Sequence, residues 1–142
     1  MLFDVSDAPT VLDRFRDPLA DPGRERARLR LAVVMTVAGL GHFLAPKFFR
    51  AIVPRWFPWR REAVLWSGVA EVASGALLAV PRTSRAGAAL ATATLVAVYP
   101  ANVQMAIDAT RGRSQVAAPT WITWIRVPMQ LPLIRSAWQL TR

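Results

Sequence analysis

Long apolar stretches alternate along the chain with short, arginine-rich breaks. No charged residue falls between Arg30 and Lys47, and LAVVMTVAGLGHFLAP fills that gap. Between Glu62 and Arg82 the only charge is Glu71, and between Arg113 and Arg135 the only charge is Arg126. The stretch from Ala86 to Ile107 carries none at all. A bilayer core of about 30 Å is crossed by about 20 mostly apolar helical residues. The pattern therefore predicts four transmembrane helices, near residues 29–46, 62–80, 86–108 and 120–140. A soluble surface helix would show an apolar stripe and a charged face. Here small and apolar residues run all the way round, most plainly in GAALATATLVAV. The expected fold is all-α: an integral membrane four-helix bundle spanning residues 29–142, with both termini on one side.

The connectors fit that picture. Lys47–Arg61 (KFFRAIVPRWFPWRR) mixes Phe48, Phe49, Trp56, Phe57 and Trp59 with cations. Rings and long cations together belong to the headgroup layer, which makes this an interfacial aromatic/basic connector between helices 1 and 2. The same mixture can grip nucleic acid, but its place between two apolar spans argues against that, and no nucleic-acid partner is expected. Residues 1–28 read as a polar cytosolic arm, with Asp4, Asp7, Asp13, Asp17 and Asp21 ahead of Arg24, Arg26 and Arg28, and a short helix near Thr10–Asp17. A secretory signal would put positive charge first and an apolar run directly after it.

Composition bounds the function. The 142 residues hold one compact domain, 54% of them apolar. The net charge of +9 comes from 18 Lys+Arg against 9 Asp+Glu, and all the cations but Lys47 are arginine. More of them lie on the side of the termini and the 82–85 turn than on the side of the 47–61 connector. The positive-inside rule then places the termini in the cytoplasm. Cysteine is absent, which excludes a disulfide or a thiol redox centre of the chain's own. A single histidine supplies neither a bis-His haem site nor the histidine set of a catalytic zinc, so no metal or haem is expected.

Polar side chains inside apolar spans are costly and usually face the interior. The candidates are His42, Glu71, Asn102, Arg126 and Gln130. Counted from the span ends at 1.5 Å per residue, Glu71 lies about 13 Å deep and Asn102 and Arg126 each about 9 Å. Ser67, Glu71 and Ser74 share one helix face, as do Tyr99, Asn102 and Ala106, and Thr123, Arg126 and Gln130. Each stripe can point at the bundle axis. Glu71 and Arg126, opposite in charge and similar in depth, are expected partners. Pro100, Pro128 and Pro132 fall inside predicted spans and free the carbonyls of Val96, Trp124 and Pro128. A polar pocket would satisfy such groups. The plainer reading is that the cluster is glue between helices, with His42 ending its span. Ser67-Gly68 and Ser74-Gly75 read as close-packing positions, and the six tryptophans as interfacial belt residues.

Five short patterns recur in a familiar order: Gly39-Leu40-Gly41-His42-Phe43-Leu44-Ala45-Pro46; Ile52-Val53-Pro54; Ser67-Gly68-Val69-Ala70-Glu71; Tyr99-Pro100-Ala101-Asn102; and Arg126-Val127-Pro128-Met129-Gln130. Over residues 30–140 the chain resembles the DoxX-like family of small bacterial four-helix membrane proteins. The resemblance implies a left-handed four-helix bundle in the bacterial cytoplasmic (inner) membrane. For some relatives it also implies association with quinone-reducing oxidation or with redox partners. No self-contained catalytic motif is visible, so the expectation is a redox-associated or accessory subunit of a membrane oxidoreductase. Its polar pocket of His42, Glu71, Asn102, Arg126 and Gln130 would bind a small lipophilic ligand such as a quinone. Without cysteine, a bound cofactor or partner would have to carry electrons. Beside the bilayer, a protein partner in a membrane redox complex and a second copy of the chain stay open as partners. Two other classes compete: a small proton-coupled transporter using Glu71, and a purely structural membrane subunit.

Overall fold

The computed structural model describes residues 21–115 and 118–142. Among them the regular structure is entirely helical. The polar arm expected over residues 1–28, with its short helix, falls outside the described residues except for its end. That end is helical. Asp21 has extended backbone and its side chain accepts from the Gly23 N–H at 3.0 Å, Pro22 fills the first helical position, and Glu25 sits in the first turn. These are start signals in their own right, so α1 runs Pro22–Leu44 and begins ahead of the apolar run. It stops before Pro46, whose ring disfavours helix at Ala45.

Pro46 then starts a second helix. α2, Pro46–Ile52, lies inside the stretch expected only to be an aromatic and basic connector. α3 runs Arg60–Ala79 and is followed by a single 3-10 turn, Pro81–Thr83. The Thr83 hydroxyl ties this turn back by donating to the Leu77 carbonyl at 2.8 Å. α4, Ser84–Thr110, continues through Pro100, and α5, Thr120–Leu140, through Pro128 and Pro132. Three segments, Pro22–Leu44, Arg60–Ala79 and Pro81–Thr110, are long and apolar enough to cross a membrane. α5 has 21 residues and comparable length, with Arg126, Gln130 and Arg135 along it.

α1 packs along α3, α3 along α4 and α4 along α5, and α1 also touches α5. One core cluster joins Leu31, Ala32 and Met35 of α1 to Leu78, Ala88, Ala91, Leu95, Ala137 and Leu140. A smaller one lies by the connector, where Ile52 and Met105 meet Phe49 and Ala101. The α1–α3 contact is set by glycine. A Cβ on Gly39 would lie 2.8 Å from the Gly68 carbonyl oxygen, and one on Gly75 would lie 2.1 Å from the Thr36 hydroxyl and 2.8 Å from the Ala32 carbonyl. Only residues without a side chain let the two backbones approach so closely, as small residues do in membrane helix pairs. Close packing is thus the role of Gly68 and Gly75, as their sequence context suggests.

Arg28 fixes the far end of the same pair. Its side chain is buried, yet it donates to both carboxylate oxygens of Glu25 and to the Leu78 carbonyl in the last turn of α3. An otherwise unpaired C-terminal carbonyl thereby gains a charged donor. The outer faces carry the opposite chemistry: Val37, Leu44, Trp66 and Met129 are more than half exposed. The buried positions of α3 and α4 include Gly68, Ser74, Gly75, Gly87, Ala88, Ala91 and Thr94 beside larger side chains such as Leu78 and Leu95. Large apolar side chains facing outward, with small residues at the helix contacts, suit helices in lipid.

Candidate functional site

Glycine packing brings His42 and Glu71 together. Gly68 lies one helical turn before Glu71, and a Cβ there would come within 2.8 Å of His42 Cβ. In the close approach that results, His42 Nδ1 stands 3.3 Å from Glu71 Oε2, with both side chains buried. The same Nδ1 lies 2.9 Å from the Ala38 carbonyl one turn back. A carbonyl can only accept, so Nδ1 carries the proton and donates to Ala38. Glu71 Oε2 is therefore close to the ring nitrogen without a hydrogen bond, and it is buried with no partner. A buried polar oxygen left unpaired is costly, and such sites attract function.

α2 covers this pair. Phe49 stacks on the His42 ring with centroids 3.8 Å apart and planes inclined by 27°, and Phe48 meets Phe49 edge-on at 5.4 Å. Phe49 also packs against the Ile52 and Met105 cluster. In the sequence it reads as one more belt aromatic. The missed signal is Pro46, a strong first residue for a helix, which turns the connector back across the end of α1.

The other three expected residues are placed differently. Asn102 on α4 donates to the side-chain oxygen of Gln130 on α5, and Gln130 in turn donates to the Leu95 carbonyl at 2.7 Å. That carbonyl lies next to the one Pro100 leaves without its helical donor. The two amides thus complete each other. Arg126 is exposed and makes no ion pair with Glu71. Depth and helix face place Glu71 and Arg126 at similar levels but leave open which helices are neighbours. α3 packs on α1 and α4, so Glu71 meets His42 instead. The five residues form a His42–Glu71 pair on α1 and α3, an Asn102–Gln130 pair on α4 and α5, and Arg126 apart from both. Two open clefts, each of about 350 Å³, lie at the connector, and none of the five lines either one.

Chemically, the first pair sets a buried carboxylate oxygen with unused bonding capacity beside an imidazole that is stacked on Phe49. The second is a closed amide link. No curated protein and no solved structure matches the chain. A family model described as "Domain of unknown function (DUF8561)" matches residues 31–141, which takes in α2 to α5 whole and most of α1, and the chain belongs to that family.

Proposed function

We propose that the chain is an integral protein of the bacterial cytoplasmic membrane, with α1, α3, α4 and α5 crossing it as a four-helix bundle and both termini inside. On this reading the His42–Glu71 pair is a proton-exchanging site for a small lipophilic ligand with hydroxyl or carbonyl oxygens, of the quinone and quinol type. The observation that carries it is the buried, partnerless Glu71 Oε2 beside the His42 ring. Such an oxygen can accept from a ligand hydroxyl, and a protonated Glu71 can donate to a ligand carbonyl. Three membrane-length apolar helices and outward-facing apolar side chains support the placement. The order of motifs resembling the DoxX-like family supports an accessory role beside a redox partner.

The test is native mass spectrometry with lipid extraction on protein purified in mild detergent, wild type beside Glu71→Gln. The wild type is expected to retain a small lipophilic molecule and the variant to lose it while its circular dichroism is unchanged. A folded wild type that carries nothing, and takes up no added ubiquinone, overturns the reading.

One observation favours a second reading. Glu71 is not in contact with Arg126, so its charge is not directly neutralised, and a proton-coupled transporter working through Glu71 becomes more reasonable. Accumulation of a lipophilic cation in cells overproducing the protein would fall in that case and stay level in the first.

A further inference from the structure

The positive charge of the connector is gathered in one cleft. Lys47, Arg50, Arg60 and Arg61 line a cavity of about 350 Å³ with one carboxylate, Glu62, among them. None of the four cations has an ion-pair partner among the described residues. Arg60 is held in place, since its guanidinium donates to the Arg50 carbonyl and to Gln115 Oε1 at 3.4 Å, yet its Nε is buried without a partner. Arg60 and Arg61 also form the first turn of α3, a 20-residue helix whose N-cap, Trp59, offers no side-chain hydrogen bond. Free N–H groups and the positive end of the helix dipole face the same way as the arginines. Cations are unfavourable there, and Glu62 sets a single negative charge against four positive ones.

A second cleft of about 350 Å³ adjoins the first and shares Arg50 and Arg61 with it. Its remaining wall is apolar: Pro46, Val64 and Leu65. A free inorganic anion would use the cationic cleft and leave the apolar one empty. A molecule with a charged head and a hydrocarbon tail would fill both.

We propose that the connector is a binding site for an anionic phospholipid. Its phosphate sits among Lys47, Arg50, Arg60 and Arg61, and the start of one acyl chain lies along Pro46, Val64 and Leu65. The site is separate from the His42–Glu71 pair and shares with that reading only the placement of the chain in a bilayer.

The experiment is a native mass spectrometry titration of the full chain in mild detergent, with phosphatidylglycerol and phosphatidylcholine of identical acyl chains. One phosphatidylglycerol is expected to bind at least about tenfold more tightly than phosphatidylcholine, in line with the pull of a basic cluster on anionic lipid. Lys47→Gln combined with Arg61→Gln, both exposed positions, lowers that affinity about thirtyfold. The same change at Arg82 and Arg85, in the connector at the other end, leaves it unaltered. If the double variant does not fold, Lys47→Gln alone is expected to weaken binding about fivefold. Equal binding of the two lipids, or equal loss in both pairs of variants, overturns the proposal. So does displacement of the lipid by millimolar inorganic phosphate, which would make a soluble anion the ligand.

Discussion

Along α1 and α3 the backbones meet at Gly39, Gly68 and Gly75, and the carboxylate buried there ends in an oxygen with no hydrogen bond. Along α4 and α5 the helices run through Pro100, Pro128 and Pro132, and Asn102 donates to Gln130, which donates to the Leu95 carbonyl, with no buried polar atom of either amide left without a partner. Both interfaces hold polar groups at comparable depth. They differ in what remains unsatisfied. An amide-to-amide link is what helix-to-helix glue requires, because it joins two helices through groups the protein itself supplies. An unpaired carboxylate oxygen, under a stacked ring and inside a contact too tight to rearrange, keeps bonding capacity for something else. Polar residues sharing a depth are therefore not one site; their partners divide them into a structural pair and a reactive one.

That comparison can be broken at its tightest point. Gly75→Leu puts a side chain where even a Cβ meets the Thr36 hydroxyl and the Ala32 carbonyl. The loss is expected to reach about 3 kcal/mol, enough to abolish a cooperative thermal transition in detergent. A variant that melts like the wild type would show that α1 and α3 do not depend on this approach. The amide link comes next. Gln130→Leu removes two hydrogen bonds and strands both Asn102 and the Leu95 carbonyl, for an expected cost of about 1–2 kcal/mol in thermal stability. Ligand retention should be unchanged; a loss of ligand as large as that in Glu71→Gln would erase the distinction between the two pairs. Arg126→Leu is the smallest effect. The side chain is exposed and makes no ion pair with Glu71, so stability should move by no more than about 0.5 kcal/mol. A shift of several times that size would restore the expected Glu71–Arg126 partnership.

Much of this was legible in the residues. The gaps between charges locate the long helices, because a helix crossing or lining an apolar environment tolerates few ions over about 20 residues. The start of α1 was not, since Asp21 and Pro22 are capping signals that lie outside the apolar run. Nor was α2, where aromatic and basic content drew attention away from Pro46. At the site, helical phase put Glu71 and Gln130 on faces that are buried, but it put Arg126 on the same face as Gln130, and Arg126 is exposed. It could not say that Glu71 would face His42 and not Arg126, because pairing depends on the azimuth of each helix about its neighbours. That is settled by glycine contacts between sequence-distant residues. Arg28 was hidden for a related reason: a cation at the edge of a span reads as a solvated flank until a carbonyl from another helix is found against it.

Arg28 has a mechanical consequence. Its guanidinium ties the first turns of α1 to the last turn of α3, while Gly39 and Gly68 lock the two helices nearer the other end. Two fastenings far apart along a common axis prevent both sliding and scissoring. On the proposed placement in a bilayer, the pair would tilt as one plank when the thickness changes, and the adjustment would fall to α4 and α5, whose prolines interrupt the backbone ladder.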